Sequence, residues 1–345
     1  VKIAVDAMGG DRAPSQVLEG VCQAALDLDV DIILVGDESK IRHHLRDILT
    51  DVPPSISIRH ASQQVEMHDL PSSVARKKRD SSIWVATELV RNEEAAAVIS
   101  AGNTGAAMVS AFFLWGVLEG VDRPAIAVTL PTLKGQAIML DVGATVDCLP
   151  HQLFQFAIMG NEYAKQVLGE IKPKIGLLSI GEEDEKGNEV TKEAFRLLKN
   201  SSLNFIGNVE GRDVYTGMAD VIVCDGFIGN VGLKISEGVV EIMTKMLVSD
   251  VSQAGICGKL GYALLRPSLY RFKKRIDYAE FGGAPLLGVN GTCVICHGRS
   301  SAKAIYNAIR LARQLIDQRI NENIQAVVMR ETAVVTTKDS IRVSG

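Results

Sequence analysis

AAAVISAGNTGAAMVSAFFLWGVL, residues 95–118, changes its periodicity within a few positions. Residues 95–100 are small and apolar without alternation, as in a strand covered on both faces. Residues 104–118 are also apolar, but too many in a row for a strand, and they read as a helix. Between them, Ser100-Ala-Gly-Asn-Thr-Gly105 has no bulky side chain and offers Asn103 or Thr104 as a helix cap. A strand, a small-residue loop and a helix in succession form the repeating unit of a parallel sheet.

The same alternation extends in both directions. Strands are expected at 2–6, 31–35, 56–60, 125–130, 135–141, 174–179, 203–207 and 220–224, and helices at 14–28, 152–168 and 187–198. GTCVICHG, from Gly291, reads as a buried strand running into a loop. The fold class is therefore α/β, a mostly parallel sheet with helices on both faces. Residues 1–345 form a single large unit with room for two lobes and a cleft between them; composition marks no boundary.

Bulk properties exclude several functions. Hydrophobic residues make up 47% and charged residues 23%, a globular mixture, and the net charge of -4 argues against nucleic-acid binding. The longest apolar run, 105–118, is too short for a bilayer core of ~30 Å. The opening VKIAVDAMGG lacks the pattern of a secretory signal. Six cysteines over this length suit reduced thiols, so the expected location is cytoplasmic. Cys293-Val-Ile-Cys296-His297 has no second ligand pair at zinc spacing, and no metal or cofactor is expected. Neither GxxxxGK[ST] nor a strand-linked GxGxxG occurs, which removes the best support for ATP hydrolysis or dinucleotide binding.

Ligands in such sheets collect at the carboxyl ends of the strands. Four polar loops stand there and are expected on one edge of one sheet. In Asp6-Ala-Met-Gly-Gly-Asp11, Gly9 and Gly10 permit close backbone approach. In the loop 100–105, Ser100, Gly102, Asn103, Thr104 and Gly105 precede a helix whose free amides attract anions. The third loop carries Lys186, Asn188 and Glu189. The fourth, Asp225-Gly-Phe-Ile-Gly-Asn230, puts an acid at a strand end and an amide near a helix start.

A basic stretch lies apart from these loops. Residues 254–276 contain Lys259, Arg266, Arg271, Lys273, Lys274 and Arg275 and no acid, a local charge of +6. Tyr262, Leu265, Leu269, Phe272 and Ile276 make an apolar helical stripe, and Pro267 suggests two helices or a kinked one. A protruding helical insertion is expected at 250–277, fit for an acidic protein partner or anionic lipid.

Taken in order, DAMGGD, SAGNTGA, DRPAIA, LDVGA, GEEDEKGNE, GNVEGRD, CDGFIGNVGLK and FGGAPLLG resemble the phosphate acyltransferases of bacterial phospholipid synthesis. The motifs run from Asp6 to Gly288, over four-fifths of the chain. The resemblance implies transfer of a long fatty acyl group from acyl carrier protein to inorganic phosphate. It also implies a homodimer with the fold shared by isopropylmalate dehydrogenase and phosphotransacetylase. The acyl phosphate would pass to a glycerol-3-phosphate acyltransferase, and peripheral contact with the inner face of the cell membrane would suit so insoluble a product. Two positions depart from the family pattern: Thr145 stands for an expected Asn, and His151 for an expected Glu.

For such a reaction, phosphate already carries a nucleophilic oxygen, and the protein's tasks are alignment and stabilisation of the tetrahedral oxyanion. Asn103 and Thr104 are candidates for phosphate or oxyanion contact, Lys186 for charge neutralisation, and Asn188 and Asn230 for orientation. Asp225 is the candidate base or orienting carboxylate, Arg123 a phosphate partner, and His297 an acid toward the departing thiolate. The rival readings are a phosphotransacetylase-like enzyme using acyl-coenzyme A, a metal- and NAD-dependent dehydrogenase, and a non-catalytic membrane scaffold.

Overall fold

The computed structural model describes residues 1–253, 255–276 and 278–343, with side chains for all of these except 256, 257, 259, 273, 276, 278 and 332–343. Strands β1 (Lys2–Asp6), β2 (Asp31–Gly36), β3 (Ile56–His60) and β4 (Ala97–Ser100) interleave with helices α1 (Ser15–Asp27), α2 (Glu38–Ile48), α3 (Pro71–Lys77) and α4 (Ser82–Arg91). Helix α5 (Thr104–Trp115) leads to β5 (Ala125–Ile126), β6 (Val128–Pro131), β7 (Gln136–Leu140) and α6 (Pro150–Tyr163). Next come β8 (Ile175–Leu178), α7 (Glu189–Lys199), β9 (Phe205–Val209) and β10 (Val221–Val223), then the long α8 (Gly226–Gln253) and α9 (Ile256–Ile276). β11 (Ala284–Leu287), β12 (Thr292–Ile295), α10 (Ala302–Asp317) and α11 (Ile320–Val343) complete the order.

These strands build two sheets. The first has the order β3-β2-β1-β4-β12-β11-β5 and the second β6-β7-β10-β8-β9. The parallel pairs outnumber the antiparallel ones, which are confined to β5, β11 and β6 with their neighbours. The single strand expected over 125–130 is two: Ile126 pairs with Leu286 in one sheet, and Val128 with Met139 in the other. The chain thus changes sheets at Ala127, a change of partner that an apolar run cannot reveal.

Strand alternation assigns each side chain to one of two cores. Ile3 and Val5 turn toward α1 and α10, where Val17, Leu18, Ile305 and Ile309 are buried. Ala4, between them, turns toward α4 and α5 and meets the core of Ile83, Ala86, Ala106 and Ala107. Helix α6 is buried almost all round, with Phe154, Phe156 and Ile158 against the second sheet. Each fully buried aliphatic or aromatic side chain contributes about 2 kcal/mol. The strand alternation therefore fixes the register of both layers.

Helices α8 and α9 differ from the rest. Nearly every side chain from residue 234 to residue 253 is exposed or half-buried, including Ile242, Met243 and Met246. The helical segment expected at 250–277 is only the second arm of this longer pair. Helix α9 runs as one helix through Pro267, so of the two expected forms the division into two helices does not occur. Proline removes one helical hydrogen bond, and with its surroundings in solvent the orphaned carbonyl is left to water. Among the described residues, no helix is long and apolar enough to cross a membrane. Helix α11 packs on α6; Ile324 and Val328 are buried, and Glu331 accepts from the Ser202 hydroxyl at 2.6 Å. The sequence reading had no role for this last segment.

Candidate functional site

Three neighbouring strands in each sheet end in loops that matter here: β1, β4 and β12 in the first, and β7, β10 and β8 in the second. The four loops expected on one sheet edge therefore divide two and two, because the chain changes sheets between them. A fifth, residues 141–149, and a sixth, 296–301, join them.

The first-sheet loops are tied together from within. Asp6 is buried; the Ser100 hydroxyl donates to its Oδ2 at 2.7 Å, and the Met8 amide donates to Oδ1 at 3.2 Å. Burial raises the Asp6 carboxyl above its ordinary 3.8, against the pull of those donors. The Ser100 oxygen also accepts from the Gly102 amide at 3.1 Å. A Cβ on Gly9 would lie 2.5 Å from Asp6 Oδ2 and 2.8 Å from the Gly102 nitrogen. The small residues at Gly9 and Gly102 are thus explained by loop-to-loop packing. Gly10, at φ 110, takes a conformation that favours glycine.

Asn103 is similarly engaged. Its Oδ1 caps α5 by accepting from the Ala106 amide at 3.0 Å, while Nδ2 donates to the carbonyls of Met67 at 3.0 Å and Asp69 at 3.1 Å. Those carbonyls belong to a strap, residues 61–80, which crosses the first-sheet loops and is held to Met8 by Gln64 at 3.0 Å. Thr104 is exposed, and Gly105 is pressed against Pro71 of α3. The strap has no hydrophobic period and gave no signal in the sequence.

The second-sheet loops are more open. Asp141 is fully buried, and its carboxylate accepts four backbone amides: Ile126 at 2.8 Å, Gly143 at 3.1 Å, Ala144 at 3.0 Å and Thr145 at 2.6 Å. Burial raises its carboxyl, and the four amides oppose the rise. Gly226 and Gly229 let the first turn of α8 rest on this loop; a Cβ on Gly229 would meet the Asp141 carbonyl oxygen. Asp225 caps that turn, accepting from the Ile228 amide at 2.9 Å. Asn230 is exposed, its Nδ2 lying 3.2 Å from where a Cβ on Gly143 would stand. In the next loop, Lys186 and Glu189 are exposed, and Asn188 caps α7 through its Oδ1, 2.9 Å from the Thr191 amide. Beneath that loop, the Ser179 hydroxyl and the Asn208 Oδ1 are buried without a protein partner among the described residues.

Helix α8 joins the two sets of loops. The charges acting on the His297 ring are Lys234 and Glu237 from α8, Arg299 from its own loop, and Asp11 from the loop after β1. Burial lowers the imidazole below its ordinary 6.5, with Lys234 and Arg299 adding to the fall. His297 Nδ1 accepts the Arg299 amide at 3.1 Å, so a neutral ring carries its proton on Nε2. Asp11 is fixed from its own side by its amide, which donates to the Gly298 carbonyl at 2.8 Å. Asp141, Lys234 and Arg299 were not singled out from the sequence. Asp141 stands in the quoted LDVGA motif, and Lys234 in the quoted CDGFIGNVGLK motif.

An open surface depression of about 450 Å³ on α8 is lined by Asn230, Val231, Lys234 and Ile235. A larger one, 720 Å³, lies at the amino end of β7, between Gln136, Leu168 and Phe281. The smaller is the better candidate, since it adjoins the carboxyl-end loops where the polar groups converge. Arg271, Lys274 and Arg275 are exposed and border the larger one, and Arg275 donates to the Thr132 carbonyl at 3.2 Å. Arg266, Leu265 and Phe272 are exposed, Leu269 is half-buried, and the side chains of Lys259 and Lys273 lie outside the described residues. Arg123 is exposed beside Asp122, which also takes His151 at 3.0 Å and Gln152 at 2.5 Å. Thr145 uses its hydroxyl on the Pro124 carbonyl at 3.1 Å. Both departures from the family pattern thus have local partners. Burial pushes Cys293 and Cys296 up to about 12, so neither is a thiolate near neutral pH.

Known proteins bear on this arrangement. A family model described as fatty acid synthesis protein matches residues 1–323. A phosphate acyltransferase of Syntrophotalea carbinolica is 52% identical over 331 residues, 94% of this chain and 93% of its own. Another, of Geobacter sulfurreducens, is 49% identical over 348 residues, 99% of each. Among solved structures, a phosphotransacetylase from Streptococcus pyogenes superposes with TM-score 0.62 at 16% identity, over 92% of this chain and 94% of that one. A branched-chain phosphotransacylase from Enterococcus faecalis gives 0.56 at 15%, over 92% and 99%. At such identities the structural likeness establishes the fold alone, the phosphotransacetylase fold. Matched by that family model over residues 1–323 and sharing about half of its residues with those relatives over nearly its whole length, the chain belongs to the fatty acid synthesis protein family.

Proposed function

We propose that this enzyme transfers a long-chain acyl group from acyl carrier protein to inorganic phosphate. The observation that carries the reading is that about half of the residues are identical, over nearly the whole chain, to those of proteins named phosphate acyltransferase. A phosphate oxygen attacks the thioester carbonyl, the carbon–oxygen bond forms, the carbon–sulfur bond breaks, and the thiol departs. Lys186 neutralises developing charge, and the Asn188 and Asn230 amides orient the phosphate. Asp225, with one oxygen committed to its cap, orients rather than deprotonates. Thr104, the amides at the start of α5, and the His297 Nε2–H are the donors assigned to the tetrahedral oxyanion. Asn103 serves by holding the strap over those amides.

A homodimer and peripheral contact with anionic membrane belong to the same proposal. Exposed Met243, Met246, Leu264 and Phe272 on α8 and α9, beside the basic residues of α9, support them. Co-sedimentation with anionic vesicles at low and high salt tests the membrane contact, with binding expected only at low salt. The donor is tested by offering palmitoyl-acyl carrier protein and palmitoyl-coenzyme A to the purified enzyme, with and without phosphate. Phosphate-dependent release of carrier thiol together with acyl phosphate is expected. Turnover of the coenzyme A ester alone would favour the phosphotransacetylase-like alternative, and binding to vesicles without turnover of either would favour the scaffold.

A further inference from the structure

Two rows of side chains run side by side along the start of α8. Asn230 and Lys234 are four residues apart and share one row; Val231 and Ile235 form a second, turned by about 100°. The four line one open depression on the face of α8, so the polar and apolar rows border the same solvent-facing surface. Lys234 lies within electrostatic reach of the His297 ring, as do Glu237, Arg299 and Asp11. Its resting partner is Glu237 at 2.9 Å, with 56% of the lysine side chain in solvent. An exposed pair of this kind contributes little and exchanges readily for an incoming dianion. Val231 and Ile235 are 43% and 61% exposed, beside a cation and at the mouth of the site, where uncovered aliphatic surface calls for an apolar ligand.

On the reading of the site as one for acyl transfer to phosphate, we propose that Lys234 holds the incoming phosphate while Val231 and Ile235 seat the first methylenes of the acyl chain. The seam between the rows is then where the two substrates meet, and α8 sets the thioester carbonyl in line with a phosphate oxygen. In the step so aligned, hydrogen phosphate forms the new carbon–oxygen bond, and the carbon–sulfur pair leaves with sulfur. The proton given up by the phosphate ends on the departing thiol.

The two rows predict separable defects, read as KM for each substrate. Lys234→Met raises the KM for phosphate about tenfold, as expected for loss of one charge-assisted contact, and leaves the KM for the acyl donor unchanged. Lys234→Arg restores most of that loss. Ile235→Asn raises the KM of the acyl donor about threefold to tenfold, equally for octanoyl and palmitoyl donors, and does not change that for phosphate. Both side chains are exposed, so the fold is retained, as thermal unfolding checks. Variants that shift both constants together, or neither, overturn the assignment. A wild-type enzyme without phosphate-dependent turnover in the same assay overturns the reading beneath it instead.

Discussion

The two sheets end in loops of similar composition and different construction. After β1 and β4, glycine and serine bring two loops into contact: Asp6, Ser100, Gly9 and Gly102 pack on one another, leaving Thr104 exposed beside them. After β7, β10 and β8, one buried carboxylate, Asp141, organises the floor, and Lys186, Asn188 and Asn230 stand exposed above it. A glycine-rich loop at a strand end therefore means close packing in one place and exposed polar side chains in the other. Only the contacts around each glycine separate the two cases.

The largest effect should come from the open side. Lys186→Ala should lower kcat/KM at least a hundredfold, about 3 kcal/mol of transition-state stabilisation, with an unchanged urea midpoint. An equal loss of stability would make Lys186 a structural residue and erase the contrast. On the closed floor, Asp141→Asn should cost about 2–3 kcal/mol, because one of its oxygens becomes an NH2 group facing backbone amides. Asp6→Asn should cost about 1 kcal/mol, since the Ser100 hydroxyl can turn to accept. Urea denaturation of the two variants decides the order, and a larger loss at Asp6 would reverse the comparison.

Smaller effects concern pH. The Asp6 carboxyl is raised above 3.8 by burial, so its favourable contribution is complete below that value and is lost as pH rises through the raised one. Asp6→Asn should flatten that part of the stability profile. His297 is lowered below 6.5, so its contribution is present above 6.5 and lost as pH falls through the lowered value. Protonation would also place a hydrogen on Nδ1, against the Arg299 amide. The acid limb of kcat/KM should inflect below 6.5 and disappear in His297→Gln. The smallest change is expected at His151→Ala, whose exposed pair with Asp122 is worth under about 1 kcal/mol.

Most strands were legible because runs such as KIAVD and DIILVG are apolar and bounded by polar turns. β11 was missed because APLL is short and carries Pro285. The division into two sheets was hidden because strand pairing is a non-local choice, and residues 125–131 read the same whichever sheet accepts them. At the site, the sequence identified loops better than roles. Asn103 was recognised as a cap, but its hold on the strap depends on Met67 and Asp69, more than thirty residues away. Lys234 could not be separated from other helical lysines until α8 was seen to cross toward His297.

The central claim is that both sheets contribute to one reaction centre. It is tested most directly by a double-mutant cycle on kcat/KM for phosphate-dependent acyl transfer, using Lys186→Ala from the second sheet and His297→Asn from the first. Groups acting on one tetrahedral centre should couple, so the double variant should lose clearly less than the sum of the single losses in free energy. Full additivity, or a His297→Asn variant as active as the wild type at neutral pH, would confine the chemistry to the second sheet and contradict the account.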